Sequence, residues 1–243
     1  MEQGQKQQIS YKKAHELDYP KAILLDWDNT LADSWGIIHK CLNNAFVELG
    51  HEPWTMEDVR NNKANIHHSL RTSFPRLFGD KWELARDVYY NSFIACHLEE
   101  IKLLPGAEKT IRKLAEHDDI HIAIVSNKTG KYLRKEVEHL GLSDCFDEVI
   151  GATDAEKDKP DKEPLIKALE KTDITQENFG SHVWMVGDSK TDIEAAFNTG
   201  CVPVLYDTLA DLSEYHGRGD IYSINCHNEF FDIASSLKGK KAA

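Results

Sequence analysis

Long apolar runs are missing from this 243-residue chain. A transmembrane helix needs roughly 20 consecutive apolar residues, whereas the tightest apolar runs here are short, at residues 22–25, 122–125 and 183–186. The first twenty residues, MEQGQKQQISYKKAHELDYP, contain no apolar segment of the kind that a secretory signal requires. The sequence therefore predicts a protein that neither crosses a membrane nor carries a secretory signal.

Paired cysteines are also missing. The five cysteines form no CxxC pair and leave one unpaired, and they lie at Cys41, Cys96, Cys145, Cys201 and Cys226. No two are close enough in sequence to form a ligand pair for a structural zinc site. An odd number of scattered thiols favours a reducing compartment over a disulfide framework. We therefore expect a cytoplasmic protein.

Basic residues are outnumbered by acidic ones, with 29 Lys and Arg against 41 Asp and Glu, for a net charge of −12. Affinity for nucleic acids and anionic membranes comes mainly from Lys and Arg. The charge balance therefore excludes a dedicated nucleic-acid or membrane-surface binder. With 41% hydrophobic and 29% charged residues, the composition is that of an ordinary soluble globular protein.

Six short apolar runs alternate with segments of helical periodicity. The runs span residues 22–28, 121–127, 146–152, 182–188, 201–206 and, more weakly, 220–224. Most are continuously apolar, which is typical of strands buried on both faces of a parallel sheet. The helical spacing of Leu133, Val137 and Leu140 before Gly141 exemplifies the segments between them. The alternation predicts an α/β fold with a doubly wound, Rossmann-like parallel sheet.

The interval between the first two predicted strands is different, because it contains helical patterns and no convincing strand. Its clearest pattern is an apolar stripe from Ile37 to Leu49, ended by Gly50. We interpret the interval as a helical cap domain inserted after the first strand, and we expect the ordered chain to begin at Lys21. The predicted divisions are a polar leader (1–19), a catalytic core (20–32 and 105–237), a cap (33–104) and a basic tail (238–243).

Polar side chains follow the predicted strands at their carboxyl ends. They are Asp26, Asp28 and Thr30 after the first strand, Ser126 and Asn127 after the second, Lys159 in the loop after the third, and Asp188 and Asp192 after the fourth. Ligands of open parallel sheets bind beyond these ends. We therefore expect these side chains to meet at one rim.

The residue types at this rim predict phosphate chemistry. Crowded carboxylates need a cation to stay ionised together, and oxygen ligands without Cys or His favour Mg²⁺. A metal held by Asp26 and Asp188 would attract a phosphate oxygen, and Thr30, Ser126 and Lys159 are suited to hold the others. Asp26 is then placed to attack phosphorus. A second carboxylate two residues later is placed to protonate the leaving oxygen.

Four segments, DWDNT, SNK, KP and GDSKTD, resemble in order and spacing the motifs of the haloacid dehalogenase superfamily, specifically its phosphatases. The helical insert resembles the cap that these enzymes carry between their first two motifs. The segments LLPGAEKTIRKL and GDSKTDIEAAFNTGC resemble the phosphoglycolate-phosphatase-like branch. The resemblance covers about residues 21–237.

The resemblance implies a role for each rim residue. It makes Asp26 the nucleophile, Asp28 the acid/base and Lys159 the charge-neutralising lysine. It implies that Mg²⁺ is bound by Asp26, Asp188 and the backbone carbonyl of Asp28, and that phosphate is bound by Thr30, Ser126, Asn127 and Lys159. Asp192 would order the metal-bound waters or Lys159. Trp27 is bulkier than the family's usual residue, and we expect it to shape the pocket entrance.

The function implied is a Mg²⁺-dependent phosphatase that acts on a small phosphorylated metabolite resembling phosphoglycolate, with no nucleic-acid or membrane partner. One alternative is a phosphomutase of the β-phosphoglucomutase kind, although DNT rather than DGV in the first motif favours hydrolysis. Another is a non-catalytic binding protein on the same scaffold. Such a protein should have lost one of Asp26, Asp28, Lys159 or Asp188, and all four are present. The sequence does not indicate the oligomeric state or the particular ester.

One segment of the predicted cap, residues 60–76, is basic and contains no acidic residue. If it is helical up to Pro75, then Lys63, His67 and Arg71 fall on one stripe. One interpretation is a solvated basic face. The other is a lid surface that contacts an anionic substrate tail, with Arg71 as the principal contact because its guanidinium can bind a carboxylate at two points.

Overall fold

The main sheet has seven parallel strands in the computed structural model, which describes residues 12–61, 68–206, 215 and 217–237. The strands are β1 (Lys12–Lys13), β2 (Ala22–Leu25), β5 (His121–Thr129), β6 (Glu148–Ala152), β7 (Val183–Gly187), β8 (Val202–Tyr206) and β9 (Tyr222–Ile224), while β3 (Ala32–Asp33) and β4 (Lys102–Leu103) form a separate pair. The order across the sheet is β1-β9-β8-β7-β2-β5-β6. All six predicted strands are present, and the predicted α/β fold is confirmed.

The apolar runs become strands because both faces of the sheet are covered. In β2, Ile23 and Leu25 belong to one hydrophobic cluster, whereas Ala22 and Leu24 belong to another on the opposite face. Alternate residues of a strand point to opposite faces, so a strand buried on both sides must be apolar throughout. This placement puts β2 in the interior of the sheet, between β5 and β7.

Helices cover both faces of the sheet. In chain order the helices are α1 (Trp35–Glu48), α2 (Met56–Arg60), α3 (Leu70–Phe78), α4 (Trp82–Glu100), α5 (Ala107–Leu114), α6 (Gly130–His139), α7 (Glu163–Ala168), α8 (Lys190–Thr199) and α9 (His227–Ser236). Buried residues of α5, α6 and α9 join the larger hydrophobic cluster, and those of α7 and α8 join the one on the other face. None of these helices combines the length and hydropathy that a membrane span requires.

The helices α1 to α4 form a layer, called the cap below, between β3 and β4. The two strands pair antiparallel, with Ala32 opposite Leu103 and Asp33 opposite Lys102. The prediction of no strand in this interval is therefore wrong at its two ends. The reason is that the two chain segments that connect core and cap run side by side. Two residues in each segment are enough to form a short pair of hydrogen-bonded strands.

The ordered chain begins earlier than Lys21. Lys12 and Lys13 form β1 at the edge of the sheet, where the Lys12 backbone N–H donates to the carbonyl oxygen of Ile221 at 3.0 Å, and Ala14 is buried. Backbone hydrogen bonds form this edge strand, so its polar side chains gave no strand signal. The remainder of the leader before Lys12 and the basic tail after Leu237 lie outside the described residues.

The basic segment of the cap is not one continuous helix. A capping box at Thr55 starts α2, which ends at Arg60. The later helix α3 begins at Leu70, and its N-cap, Ser69, has an extended ψ of 154° that no helix interior permits. The predicted stripe of three basic side chains on one helix is therefore wrong. Lys63 and His67 lie outside the described residues.

Candidate active site

The carboxyl ends of β2, β5 and β7 bring the predicted rim residues together. Asp26 follows β2, and its backbone N–H donates to the Val186 carbonyl of β7 at 2.8 Å, which continues the ladder one residue beyond the strand. Ser126 lies within β5 on one side, and Asp188 follows β7 on the other. Adjacent parallel strands ending at one edge thus form the site that the sequence predicts.

Lys159 is the central cation of this rim. Its Nζ donates to Asp26 Oδ1 at 2.8 Å, to Asp192 Oδ1 at 2.6 Å and to the Val125 carbonyl oxygen at 2.6 Å. Burial lowers the pKa of this lysine, but the carboxylates of Asp192 and Asp26 raise it further, and the net shift is upward. Lys159 therefore stays charged. Lys157, in contrast, is exposed and pairs with Asp161 and Glu163.

Three carboxylates crowd around this lysine. One oxygen each from Asp26, Asp188 and Asp192 lies within 4.8 Å of the others. Burial raises the pKa of Asp26 to about 7, and the Asp192 charge adds to the rise while Lys159 opposes it. Burial, followed by the charges of Asp26 and Asp192, raises the pKa of Asp188 well above its ordinary value. One lysine does not balance three carboxylates, so the cluster is suited to a divalent cation.

Hydrogen bonds fix the Asp192 carboxylate in a position where it holds Lys159 in place. Its Oδ1 accepts from Lys159, and its Oδ2 accepts from the Ser189 backbone N–H at 3.0 Å and from the Ser189 hydroxyl at 2.6 Å. A Cβ at Gly187 would lie 2.2 Å from the Asp192 carboxyl carbon, so only glycine fits there. With both oxygens engaged inside the protein, Asp192 orients the lysine, which is one of the two roles that the resemblance implies.

The half-buried Asp28 carboxylate lies beside a second lysine. Lys128 Nζ is 2.6 Å from Asp28 Oδ1, and the Ser34 hydroxyl donates to the same oxygen. The next residue, Asn29, adopts a left-handed backbone with φ of 62°, and its side-chain oxygen accepts from the Ser34 backbone N–H at 3.2 Å. This turn, at a position that Asn tolerates better than most residues, directs the chain after Asp28 back toward Ser34.

Lys128 also belongs to a buried polar network that sequence reasoning missed. Its Nζ donates to Glu136 Oε2 at 2.6 Å, and the fully buried Glu136 accepts from Trp27 Nε1 at 2.8 Å and from His97 Nδ1 at 2.9 Å. Burial raises the pKa of Glu136, but Lys128 and the hydrogen bonds lower it further. The network joins cap helix α4 to core helix α6. Its one sequence signal is an acidic residue on the apolar face that Leu133 and Val137 define.

Trp27 does not shape the pocket entrance, so that prediction is wrong. The side chain is fully buried, and its indole N–H donates to Glu136.

Thr30 is also fully buried, and its hydroxyl donates to Asp188 Oδ1 at 3.4 Å. The Asn127 side chain donates to the Lys159 backbone carbonyl at 2.9 Å, which ties the second motif to the third.

A cavity of about 100 Å³ lies between the rim and the cap. The core side of its wall includes Asp26, Asp28, Ser126, Lys159 and Asp188, whereas Thr30 and Asp192 are not part of the wall. The cap side is apolar and aromatic. Its residues include Trp35, Ile38, Leu42, Leu70, Phe74, Tyr89, Tyr90 and Phe93. The structure thus encloses the carboxylates and the lysine beneath a mostly apolar roof.

Arg71 lies at the rim but is not a free cation there. Its Nε donates to Asp158 Oδ2 at 2.5 Å and its Nη2 donates to Asp158 Oδ1 at 2.6 Å. The guanidinium edge that was predicted to bind a substrate carboxylate therefore binds a carboxylate of the protein, and Arg71 does not line the cavity. Asp158 directly precedes Lys159, so this pair connects α3 to the loop that carries Lys159.

Comparisons with known proteins agree with this architecture. The sequence profile of the haloacid dehalogenase-like hydrolases matches residues 23–205. A phosphoglycolate phosphatase of Psychrobacter arcticus is 27% identical over 88% of this chain and 93% of its own length. A phosphoglycolate phosphatase of Vibrio cholerae is 30% identical over 74% and 81%. The crystal structure of a hydrolase of the same superfamily from Ehrlichia chaffeensis is 28% identical, covers 94% of this chain and 99% of its own, and has a TM-score of 0.59.

Proposed function

Because the chain belongs to the haloacid dehalogenase-like hydrolases, we propose that it is a phosphatase that hydrolyses a small-molecule phosphate monoester through an aspartyl-phosphate. The observation that carries the proposal is the ion pair of Asp26 with Lys159 at 2.8 Å, which lies beside a second ion pair, that of Asp28 with Lys128 at 2.6 Å. Two carboxylates two residues apart thus have different neighbours, which supports different roles for them.

In the first step, a carboxylate oxygen of Asp26 attacks phosphorus, and the bond from phosphorus to the ester oxygen breaks. Asp28, in its protonated form, gives its proton to that leaving oxygen, which departs as an alcohol. In the second step, Asp28 takes a proton from a water molecule as the water oxygen attacks phosphorus. The bond from phosphorus to Asp26 breaks, inorganic phosphate leaves, and both carboxyl groups return to their starting forms.

The other rim residues hold the phosphoryl group and its charge. Lys159 neutralises negative charge next to the nucleophile, and its burial strengthens that interaction. The Ser126 hydroxyl lines the cavity and is placed to donate to a phosphate oxygen. Thr30 is not part of the cavity wall and acts through Asp188, which is a positioning role rather than the direct phosphate contact that the resemblance implies. Asn127 lines the cavity as well as binding the Lys159 carbonyl, so it is placed for the phosphate contact that the resemblance implies.

The donor set fits Mg²⁺. Asp26 and Asp188 offer carboxylate oxygens with no Cys or His nearby in the cluster, and the repulsion among the carboxylates is what a divalent cation would relieve. We assign the ion to Asp26, Asp188 and the backbone carbonyl of Asp28. When bound, Mg²⁺ supplies positive charge to the phosphate oxygens during transfer. Asp192 is excluded from direct ligation in this assignment because its oxygens bind Lys159 and Ser189.

A phosphate-release screen tests the proposal. Purified protein with Mg²⁺ is incubated with a panel of phosphorylated metabolites and simple esters, and inorganic phosphate is measured. Asp26→Asn should abolish release while keeping the circular dichroism spectrum, whereas the exposed Asp173→Asn should behave as wild type. Mass spectrometry of acid-quenched wild type should locate the phosphoryl group on Asp26. Activity near wild type in Asp26→Asn would overturn the mechanism, and transfer to a second sugar phosphate without release would favour the mutase alternative.

A further inference from the structure

We propose that the substrate's leaving group is uncharged and presents flat apolar surface, so that an ester carrying a carboxylate next to its phosphate, such as phosphoglycolate, is a poor substrate. This inference rests on the proposed phosphatase function and specifies its substrate class. It is carried by the part of the cavity wall called the leaving-group pocket here, whose residues are Ile38, Leu42, Phe74, Tyr89, Phe93 and Tyr132.

The leaving-group pocket lies where the ester's organic part must go. The phosphoryl group occupies the rim near Asp26 and Lys159, and the leaving oxygen must face Asp28 to receive its proton. The apolar part of the remaining wall is formed by the cap and by Tyr132 of α6. An organic group attached to the leaving oxygen therefore extends toward α1, α3 and α4, where it meets apolar side chains.

Ring packing fixes the shape of this wall. Phe74 meets Tyr89 edge-to-face at 5.5 Å between centroids, and Phe93 meets Tyr132 in the same manner at 5.4 Å. Tyr89 and Phe93 also stack at 6.0 Å. Rings held by their neighbours lose little further freedom when a ligand binds, and preformed aromatic walls favour planar apolar groups.

Two lysines lie beside this wall. Lys131 Nζ is 4.5 Å from the Tyr132 ring centroid but is not part of the cavity lining, whereas Lys128 lines the cavity and is already neutralised. Lys128 Nζ lies 5.5 Å from the Phe93 ring centroid, and it pairs with both Asp28 and Glu136 at 2.6 Å. When Asp28 is protonated, as the first step requires, Lys128 and Glu136 cancel each other, and when Asp28 is ionised the three groups carry a net charge of −1. A substrate carboxylate placed here would gain no net positive charge from these groups in either state, so its burial would be unfavourable.

The described part of the cap supplies no replacement cation to the cavity. Arg71 is bonded at two points to Asp158 and lies outside the wall. His68 does line the cavity, but burial and the nearby Arg76 lower its pKa, which favours the neutral imidazole. Among residues 33–61 and 68–104, the cap therefore presents no charged side chain to the cavity.

A matched pair of esters tests the inference in the wild-type protein. Benzyl phosphate and para-carboxybenzyl phosphate have leaving alcohols of similar acidity and differ mainly in one remote charge, and phosphoglycolate adds a small carboxylated ester. With Mg²⁺, kcat/KM should be about tenfold or more higher for benzyl phosphate than for either carboxylated ester. Ethyl phosphate, which lacks the ring, should also be slower.

A charge placed in the pocket should reverse this selectivity. Ile38→Lys adds a cation to the wall from α1, whereas Val47→Lys adds the same charge to an exposed position of the same helix. The ratio of kcat/KM for para-carboxybenzyl phosphate to that for benzyl phosphate should rise about tenfold in Ile38→Lys and stay unchanged in Val47→Lys. An unchanged ratio in folded Ile38→Lys would contradict the assigned position of the leaving group.

The outcomes separate this inference from the function on which it rests. If wild type prefers phosphoglycolate or para-carboxybenzyl phosphate over benzyl phosphate, the inference is wrong and the phosphatase proposal stands. If wild type releases phosphate from no ester in the presence of Mg²⁺, the phosphatase proposal fails, and the substrate class fails with it. The wild-type comparison decides the inference even if Ile38→Lys does not fold.

Discussion

Arg71 and Asp158 form a two-point ion pair between the cap and the core, with donor–acceptor distances of 2.5 and 2.6 Å. Asp158 is nearly buried, whereas Arg71 is partly exposed. The carboxylate lies one residue before Lys159, and the Asp158 Oδ1 also accepts from the Thr153 backbone N–H at 3.3 Å. The pair therefore fixes α3 against the loop that carries Lys159.

Removing this pair should weaken catalysis without changing substrate preference. Arg71→Ala leaves the Asp158 carboxylate without its guanidinium partner, so we expect a loss of about 1–3 kcal/mol in the free energy of unfolding. Because Arg71 does not line the cavity, kcat/KM should fall by the same factor for benzyl phosphate and for para-carboxybenzyl phosphate. Urea unfolding and the two kinetic constants check this.

A larger loss for the carboxylated ester alone would instead make Arg71 a substrate contact. The double variant Arg71→Ala/Asp158→Ala supplies the control. If the residues act as a pair, the two stability losses should not add, since the second substitution removes a partner that is already unpaired.

The free energy of unfolding should fall when the buried network around Lys128 loses one charge, and much of that loss should be recovered when the network loses both. Lys128→Met leaves Glu136 ionised and buried without a cation, which should cost about 3–5 kcal/mol. Lys128→Met/Glu136→Gln removes the uncompensated charge and keeps an acceptor for Trp27 or His97. We expect the double variant to recover at least half of the loss in urea unfolding. A double variant that is less stable than Lys128→Met would show that the ion pair is not the source of the effect.

The fold and the meeting of the rim residues could be predicted because their signals are local. A buried parallel strand is a continuous apolar run, and Asp26, Asp188 and Lys159 follow such strands or the loops after them. Contacts made at long range gave no such signal. Asp158 is 87 residues from Arg71, and β1 is held by backbone hydrogen bonds that polar lysines do not reveal. The stripe of Lys63, His67 and Arg71 required a helix through Ser69, where an extended backbone interrupts it.

Mg²⁺ should stabilise the protein through Asp188. A ligand that binds only the folded state raises stability by RT ln(1 + [L]/Kd), which is about 2.7 kcal/mol at 100 times Kd. The melting temperature of wild type should therefore rise with Mg²⁺ concentration, whereas that of Asp188→Asn should not. Without metal, Asp188→Asn should be more stable than wild type, because it removes one of three crowded carboxylates. Differential scanning fluorimetry measures both effects, and Asp173→Asn serves as the control for a lost surface charge.

An equal response of wild type and Asp188→Asn to Mg²⁺ would place the ion elsewhere. A metal-free Asp188→Asn that melts below wild type would show that hydrogen bonding to Asp188, such as that from Thr30 at 3.4 Å, outweighs the repulsion within the cluster.

His227 should make stability depend on pH. The imidazole is fully buried at the start of α9, its Nε2 donates to the Thr30 carbonyl at 2.8 Å, and its ring lies 4.7 Å from that of Tyr206. Burial lowers its pKa from 6.5 to about 4, although the bond to Thr30 opposes the shift. Between those two pH values the unfolded chain binds a proton that the folded protein does not. The free energy of unfolding should therefore fall as the pH falls from 6.5 toward 4, by about 2–3 kcal/mol at pH 4.5.

His227→Gln isolates this contribution from the other groups that titrate in the same interval. Its amide can still donate to the Thr30 carbonyl but cannot take up the proton, so the variant should lose less stability than wild type between pH 7 and 4.5. Urea unfolding at a series of pH values gives the two curves, and the exposed His182→Gln should follow wild type. Parallel curves for wild type and His227→Gln would mean that His227 is protonated as readily in the folded protein as in the unfolded chain. The hydrogen bond to Thr30 would then not depend on a neutral imidazole, and acid sensitivity would have to come from the carboxylates of the rim.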